Sequence, residues 1–65
     1  MVIYDRYKMR DAIDKYVVNP RYRNVLLLKY CDGHSHEETA ELSNYSTQHV
    51  KFICSEYIDF LLEHL

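Results

Sequence analysis

Residues 32–53, DGHSHEETAELSNYSTQHVKFI, hold two helix starts so close together that only a helix, a tight turn and a second helix fit the segment. Ser35 and Glu38 stand at the spacing of a capping box, in which the serine oxygen accepts a backbone N–H while the glutamate reaches back to the serine's own. Ser46 offers a second N-cap ahead of the apolar positions Val50, Ile53 and Cys54. Between the two, Asn44 stands where the chain must turn sharply, and Asn is the residue besides Gly that best tolerates the left-handed conformation. The pattern points to a helix-turn-helix, a motif that usually lays its second helix in a DNA groove.

The rest of the chain agrees with an all-α class. One Gly and one Pro in 65 residues argue against a turn-rich β architecture and leave long stretches free to be helical. A hydrophobic share of 48% with 28% charged residues is too apolar for a disordered chain. The length supports one domain, 1–65, burying about 60% of its chain surface, so a partner copy would add useful stability.

Four helices are predicted, with no winged elements. The first spans about residues 3–17, with Met9, Ile13, Tyr16 and Val17 on one face and the i, i+4 pairs Arg10–Asp14 and Asp11–Lys15 on the exposed side. Asn19-Pro20 ends it, because the residue before proline is pushed out of the α region, and Pro20 opens a second helix at 20–30. The run Val25-Leu26-Leu27-Leu28 is more apolar than one face requires, so this helix is expected to touch others on two sides. Asp32-Gly33 supplies the next turn, with Gly33 free to take a positive φ. The third helix covers about 35–42 and the fourth runs from 47 to near the C-terminus. On the fourth, Val50, Ile53, Cys54, Tyr57, Phe60 and Leu61 form one stripe, which Ile58, Leu62 and Leu65 widen beyond the needs of a small core. The surplus is expected to pack on the first helix or on a second subunit.

The start Met1 to Arg10 carries Asp5, Arg6, Lys8 and Arg10 where a signal peptide would be apolar, and no apolar run reaches the roughly 18 residues of a membrane span. A soluble cytoplasmic chain is expected, with Cys31 and Cys54 as reduced thiols. The net charge of −2 is unevenly spread: residues 1–30 hold seven Lys and Arg against three Asp, net +4, and residues 31–65 hold Lys51 against seven Asp and Glu, net −6. Such asymmetry marks a binding surface in the basic half or an attraction between the halves.

From Arg21-Tyr22-Arg23-Asn24-Val25-Leu26-Leu27-Leu28-Lys29-Tyr30, through Gly33, Ser35, Glu37-Glu38, Ala40, Asn44 and Ser46, to Val50-Lys51 and Ile53, the chain resembles the C-terminal DNA-binding region of bacterial sigma factors and related sigma-like helix-turn-helix proteins. The similarity covers about residues 20–60 and leaves 1–19 as an accessory N-terminal helix. The chain departs from the family pattern at Thr39 and Ser43, where bulky aliphatics usually complete the motif's core. It departs also at Phe52, where a polar base-reading side chain is common, and at Glu56 and Asp59, which replace basic residues. With no other sigma regions in view, the resemblance implies a small regulator of phage or plasmid type.

On that resemblance, the recognition helix is about 47–56. Thr47, Gln48 and Lys51 are its groove-facing positions, with His49 beside them. Gln pairs bidentately with adenine, Lys reaches guanine or a phosphate, and Thr bonds a base edge or touches a thymine methyl. The plain alternative for these four is a solvated helix face. Ser35 and His36 at the start of the third helix would meet a phosphate through free N–H groups and the helix dipole, and Arg21 and Arg23 would add charge from the second helix. The expected partners are double-stranded DNA and a second copy of the chain, joined through Tyr57, Ile58, Leu61, Leu62 and Leu65. The other function considered is a protein-interaction module on the same scaffold, binding RNA polymerase or another regulator.

No cofactor is expected. Cys31, His34 and His36 lie close in sequence beside Glu37, yet lack the paired spacings of structural zinc, so a polar turn and helix cap is the better reading. Cys54 sits on the apolar stripe, no Gly-rich phosphate loop exists, and no enzyme activity is expected. The seven tyrosines read as amphipathic core and interface residues, with only Tyr45 near the exposed turn.

Overall fold

Each helix begins where a side chain captures the first free N–H groups, and these captures fix the element order. The computed structural model describes residues 4–65. Helix α1, Arg6–Tyr16, starts at Asp5, whose carboxylate accepts from the N–H groups of Tyr7 at 2.8 Å and Lys8 at 3.4 Å. That cap sets the start later than residue 3, which itself lies outside the described residues. Helix α2, Pro20–Tyr30, follows an extended Val17 and an Asn19 cap that accepts from Arg21 N–H at 2.9 Å, with Pro20 in the first turn. Gly33 takes φ 79° in the turn after it.

Helix α3, His36–Ser43, carries the complete capping box: Glu38 N–H donates to Ser35 Oγ and Ser35 N–H donates to Glu38 Oε1, each at 3.1 Å. Asn44 closes it in the left-handed conformation at φ 61°, with its N–H turned back to the carbonyls of Ala40 and Glu41. Helix α4, Thr47–Glu63, starts on Ser46, whose Oγ accepts from His49 N–H at 3.2 Å. The chain is all-helical, as expected.

Helix α2 is the centre of the packing: it touches α1, α3 and α4, while α1 and α3 do not pack on each other. Its Val25 and Leu26 are fully buried against Met9, Ile13 and Val17 from the α1 side and Val50, Ile53, Cys54 and Leu61 of α4. The surplus apolar stripe of α4 turns in part onto α1, where Tyr16 meets Phe60 edge-on at 5.5 Å and the His64 ring at 4.5 Å. Six tyrosines are half-buried, and Tyr4 ties the start of the described chain to α2 by donating its hydroxyl to the Tyr30 carbonyl at 2.6 Å.

The expected pairs on α1 do not form. Asp14 faces Arg23 of α2 at 4.0 Å instead of Arg10, and no Asp11–Lys15 pair lies within 4 Å among the described residues. Exposed i, i+4 pairs are worth only a few tenths of a kcal/mol, so a guanidinium with backbone carbonyls to bind competes easily. Among the described residues no helix is long and apolar enough to cross a membrane.

Among the described residues one buried polar side chain is left over. Thr39 of α3 is wholly buried and its Oγ1 has no hydrogen-bond partner, while Ser43 Oγ donates to the Thr39 carbonyl at 2.6 Å. A hydroxyl in that state costs about 1–3 kcal/mol of desolvation. Thr39→Val keeps the shape, removes the orphan and is expected to raise the thermal midpoint by about 4–8 °C for each kcal/mol recovered. A midpoint that falls in a thermal melt would show that the hydroxyl has a partner.

Candidate nucleic-acid interface

The first turns of α4 put three side chains where a groove could be read. Capping by Ser46 sets the register, leaving Gln48 and Lys51 exposed and Thr47 half-buried. His49, expected beside them, is turned inward. Its ring lies 4.5 Å from that of Tyr45 and 6.4 Å from that of Tyr22, so stacking takes up much of its surface. Phe52, one position beyond Lys51, is 58% exposed.

Two of the positions expected on α3 and two on α2 flank this surface unequally. Ser35 is exposed, but its hydroxyl and N–H are both committed to Glu38, so what it leaves for an anion is the N–H groups of His36 and Glu37. Glu37 and Glu38 in the same turn complement the helix dipole and compete with a phosphate for it. The bond from Ser35 N–H holds the Glu38 carboxyl below its ordinary pKa, so that contribution to stability is present above the ordinary carboxylate value and lost as pH falls through the folded one. Arg21 is exposed and lies over the Tyr45 ring at 5.1 Å, beside the turn that leads into α4.

Arg23 does not face outward as expected. Its Nε and Nη2 donate to the Val17 carbonyl at 3.2 and 3.0 Å, and Nη2 donates also to the Asp14 carbonyl at 3.3 Å. The guanidinium closes the C-terminus of α1, where the last carbonyls lack helical partners, and that engagement takes up the donors expected to face a phosphate.

Another cation stands close to α3, Lys29 in the last turn of α2, with its ammonium 5.7 Å over the Tyr30 ring. The connection at 31–35 brings that turn alongside the start of α3, and α4 crosses close by. His36 senses the result: its pKa is lowered first by partial burial and then by the positive charges of Lys29 and Lys51, with Glu37 opposing. The charges of Lys29 on α2 and Lys51 on α4 therefore both reach His36 on α3. The signal in the sequence was the short link itself, which makes the end of one helix and the start of the next neighbours.

No protein-family model, curated protein or solved structure matches this chain.

The cysteine and histidine neighbours in sequence do not converge. Among the described residues no group of three or more His, Cys, Asp or Glu side chains comes together, and His34 instead lies 3.9 Å from Glu38 Oε1. Burial pushes the thiols of Cys31 and Cys54 up from their ordinary pKa, which keeps them protonated.

The residues expected to join two copies need one correction. Leu61 is 0% exposed, consumed by the chain's own core, and cannot face a partner. Tyr57, Ile58 and Leu62 are half-buried against that core, and Leu65 is 39% exposed. Phe52 and Phe60 are the large apolar side chains that α4 offers most openly, and the stripe drawn from the sequence had placed Phe60 inside.

Proposed function

We propose that the chain is a small DNA-binding transcriptional regulator with a sigma-like helix-turn-helix, α3 lying over the phosphate backbone and the first half of α4 entering the major groove. The observation that supports it best is the Ser46-capped start of α4, which leaves Gln48 and Lys51 exposed on its first turns, with the charges of Lys29 and Lys51 both felt at His36. Phosphate contacts set affinity and register, and base-edge contacts set sequence. Lys29, Arg21 and the free N–H groups at the start of α3 serve the first purpose. Gln48, as a bidentate partner for adenine, and Lys51 with Thr47 serve the second.

So few cations make binding by one copy weak and strongly dependent on salt. Useful affinity then calls for two copies, joined along the α4 flank of Ile58, Leu62 and Leu65 and reading half-sites about 34 Å apart. The test is selection of random duplex DNA on the purified protein at low and moderate salt. A two-fold symmetric consensus is expected, with Gln48→Ala losing preference at one position of each half-site by about 1–3 kcal/mol. No enrichment at either salt concentration would end this reading.

A further inference from the structure

We infer that the flank of α4 facing α1 and α2 is a docking groove for a partner segment that seats an arginine or lysine side chain among apolar neighbours. The groove is shallow and open to solvent, with a volume of about 540 Å³, and is lined by Tyr16 of α1, Tyr22 of α2, and Phe52, Glu56, Tyr57 and Phe60 of α4. Phe52 and Phe60 are 58% and 40% exposed, so the aromatic surface is open. Within it Tyr22 meets Tyr57 edge-on at 6.1 Å, and Tyr16 meets Phe60 at 5.5 Å, which fixes the rings against one another.

Two observations name the occupant. Aromatic faces carry negative charge density, and a concave set of them with one carboxylate selects a cation that brings apolar surface with it. The chain already uses its rings this way, with Lys15 over Tyr16 at the groove's α1 edge at 5.4 Å and, elsewhere, Arg21 over Tyr45 at 5.1 Å and Lys29 over Tyr30 at 5.7 Å. Among the described residues, Phe52, Tyr22, Tyr57 and Phe60 have no lysine or arginine over them, the nearest imidazoles being His64 at 4.3 Å from the Phe60 ring and His49 at 6.4 Å from that of Tyr22. The second observation is charge. Residues 52–65 contain Glu56, Asp59 and Glu63 and no Lys or Arg, and helical spacing sets all three acids on the outward side of α4 with Phe52. Lys15 sits at the α1 edge through its place on Tyr16.

The same acids argue against a second copy as the occupant. A two-fold contact across this flank would set Glu56, Asp59 and Glu63 against their own counterparts, and like charges across an interface oppose association. A basic partner meets the same row with complementary charge. The groove shares Phe52 and Glu56 with the helix proposed to enter the major groove, so DNA and a basic segment would compete for that end of it.

The test is a titration of ¹⁵N-labelled protein with the blocked peptide Ala-Leu-Arg-Leu-Ala and with its Ala-Leu-Gln-Leu-Ala counterpart. Amide shifts are expected along 52–60 and around Tyr16 and Tyr22, with the arginine peptide favoured about 5-fold or more. Glu56→Gln should narrow the preference for the arginine peptide while leaving the glutamine peptide's affinity unchanged, and Phe60→Ala should abolish the shifts while far-UV circular dichroism stays unchanged. Equal affinity for the two peptides, no binding, or shifts centred on Lys29 and Lys51 would overturn the proposal. So would a sedimentation mass that rises with protein concentration and falls back on Phe60→Ala, since that would make a second copy the occupant.

Discussion

Leu26→Ala is expected to lower the thermal midpoint of this domain by roughly 12–24 °C, the consequence of about 3 kcal/mol lost in a small core. Leu26 is 0% exposed and sits on α2, the helix that contacts all the others. Truncation there opens a cavity between α1, α2 and α4 that none of them can close without disturbing its other contacts. A core of this size rarely supplies more than about 3–5 kcal/mol, so the variant should be largely unfolded near physiological temperature. Leu42→Ala is the control: the side chain is 59% exposed, and its removal should move stability by no more than about 0.5 kcal/mol. Thermal and urea melts followed by circular dichroism read both. A loss below about 1 kcal/mol for Leu26→Ala would mean that α2 is not central.

What could be read from the sequence was what the chain decides locally. Ser35 with Glu38, Ser46, Asn19 with Pro20, Gly33 and Asn44 all do what their types predict, because each acts on backbone groups within four residues of itself. What could not be read depended on a neighbour distant in sequence. Arg23 finds the end of α1, so its guanidinium is tied to the backbone there and takes Asp14 from Arg10. Leu61 goes inward and Phe60 outward because α4 is apolar over nearly half its circumference, and such a stripe does not say which flank the other helices will cover. His49 was placed correctly on α4 but not against Tyr45 and Tyr22, which approach from the turn and from α2. At the candidate interface the exposure of Gln48 and Lys51 follows from the Ser46 cap, whereas the presence of Lys29 follows only from how α2 and α3 lie together.

That last neighbour carries the second large effect. Replacing Lys29 and Lys51 together by Glu is expected to weaken DNA binding by roughly a hundredfold at low salt, at about 1.5 kcal/mol for each charge-assisted contact. Their replacement by Ala instead should flatten the slope of log affinity against log salt by about two. His36 adds a dependence on pH whose sign can be worked out. In the free protein, partial burial followed by Lys29 and Lys51 disfavours the imidazolium, so the folded pKa lies below the ordinary histidine value. The unfolded chain therefore binds the proton more readily, and the stability gained from a neutral His36 is present above that ordinary value and lost as pH falls through the folded one. A phosphate set against these lysines offsets their charges and favours the imidazolium, so the complex takes up a proton and affinity rises over the same acid range. Stability and affinity should thus move in opposite directions as pH falls from about 7 towards 5, and His36→Gln should remove both trends. Binding isotherms and melts across that range, with an NMR titration of the His36 ring in free protein and complex, read the pair. Affinity that stays level while the His36 ring titrates would place the phosphates elsewhere.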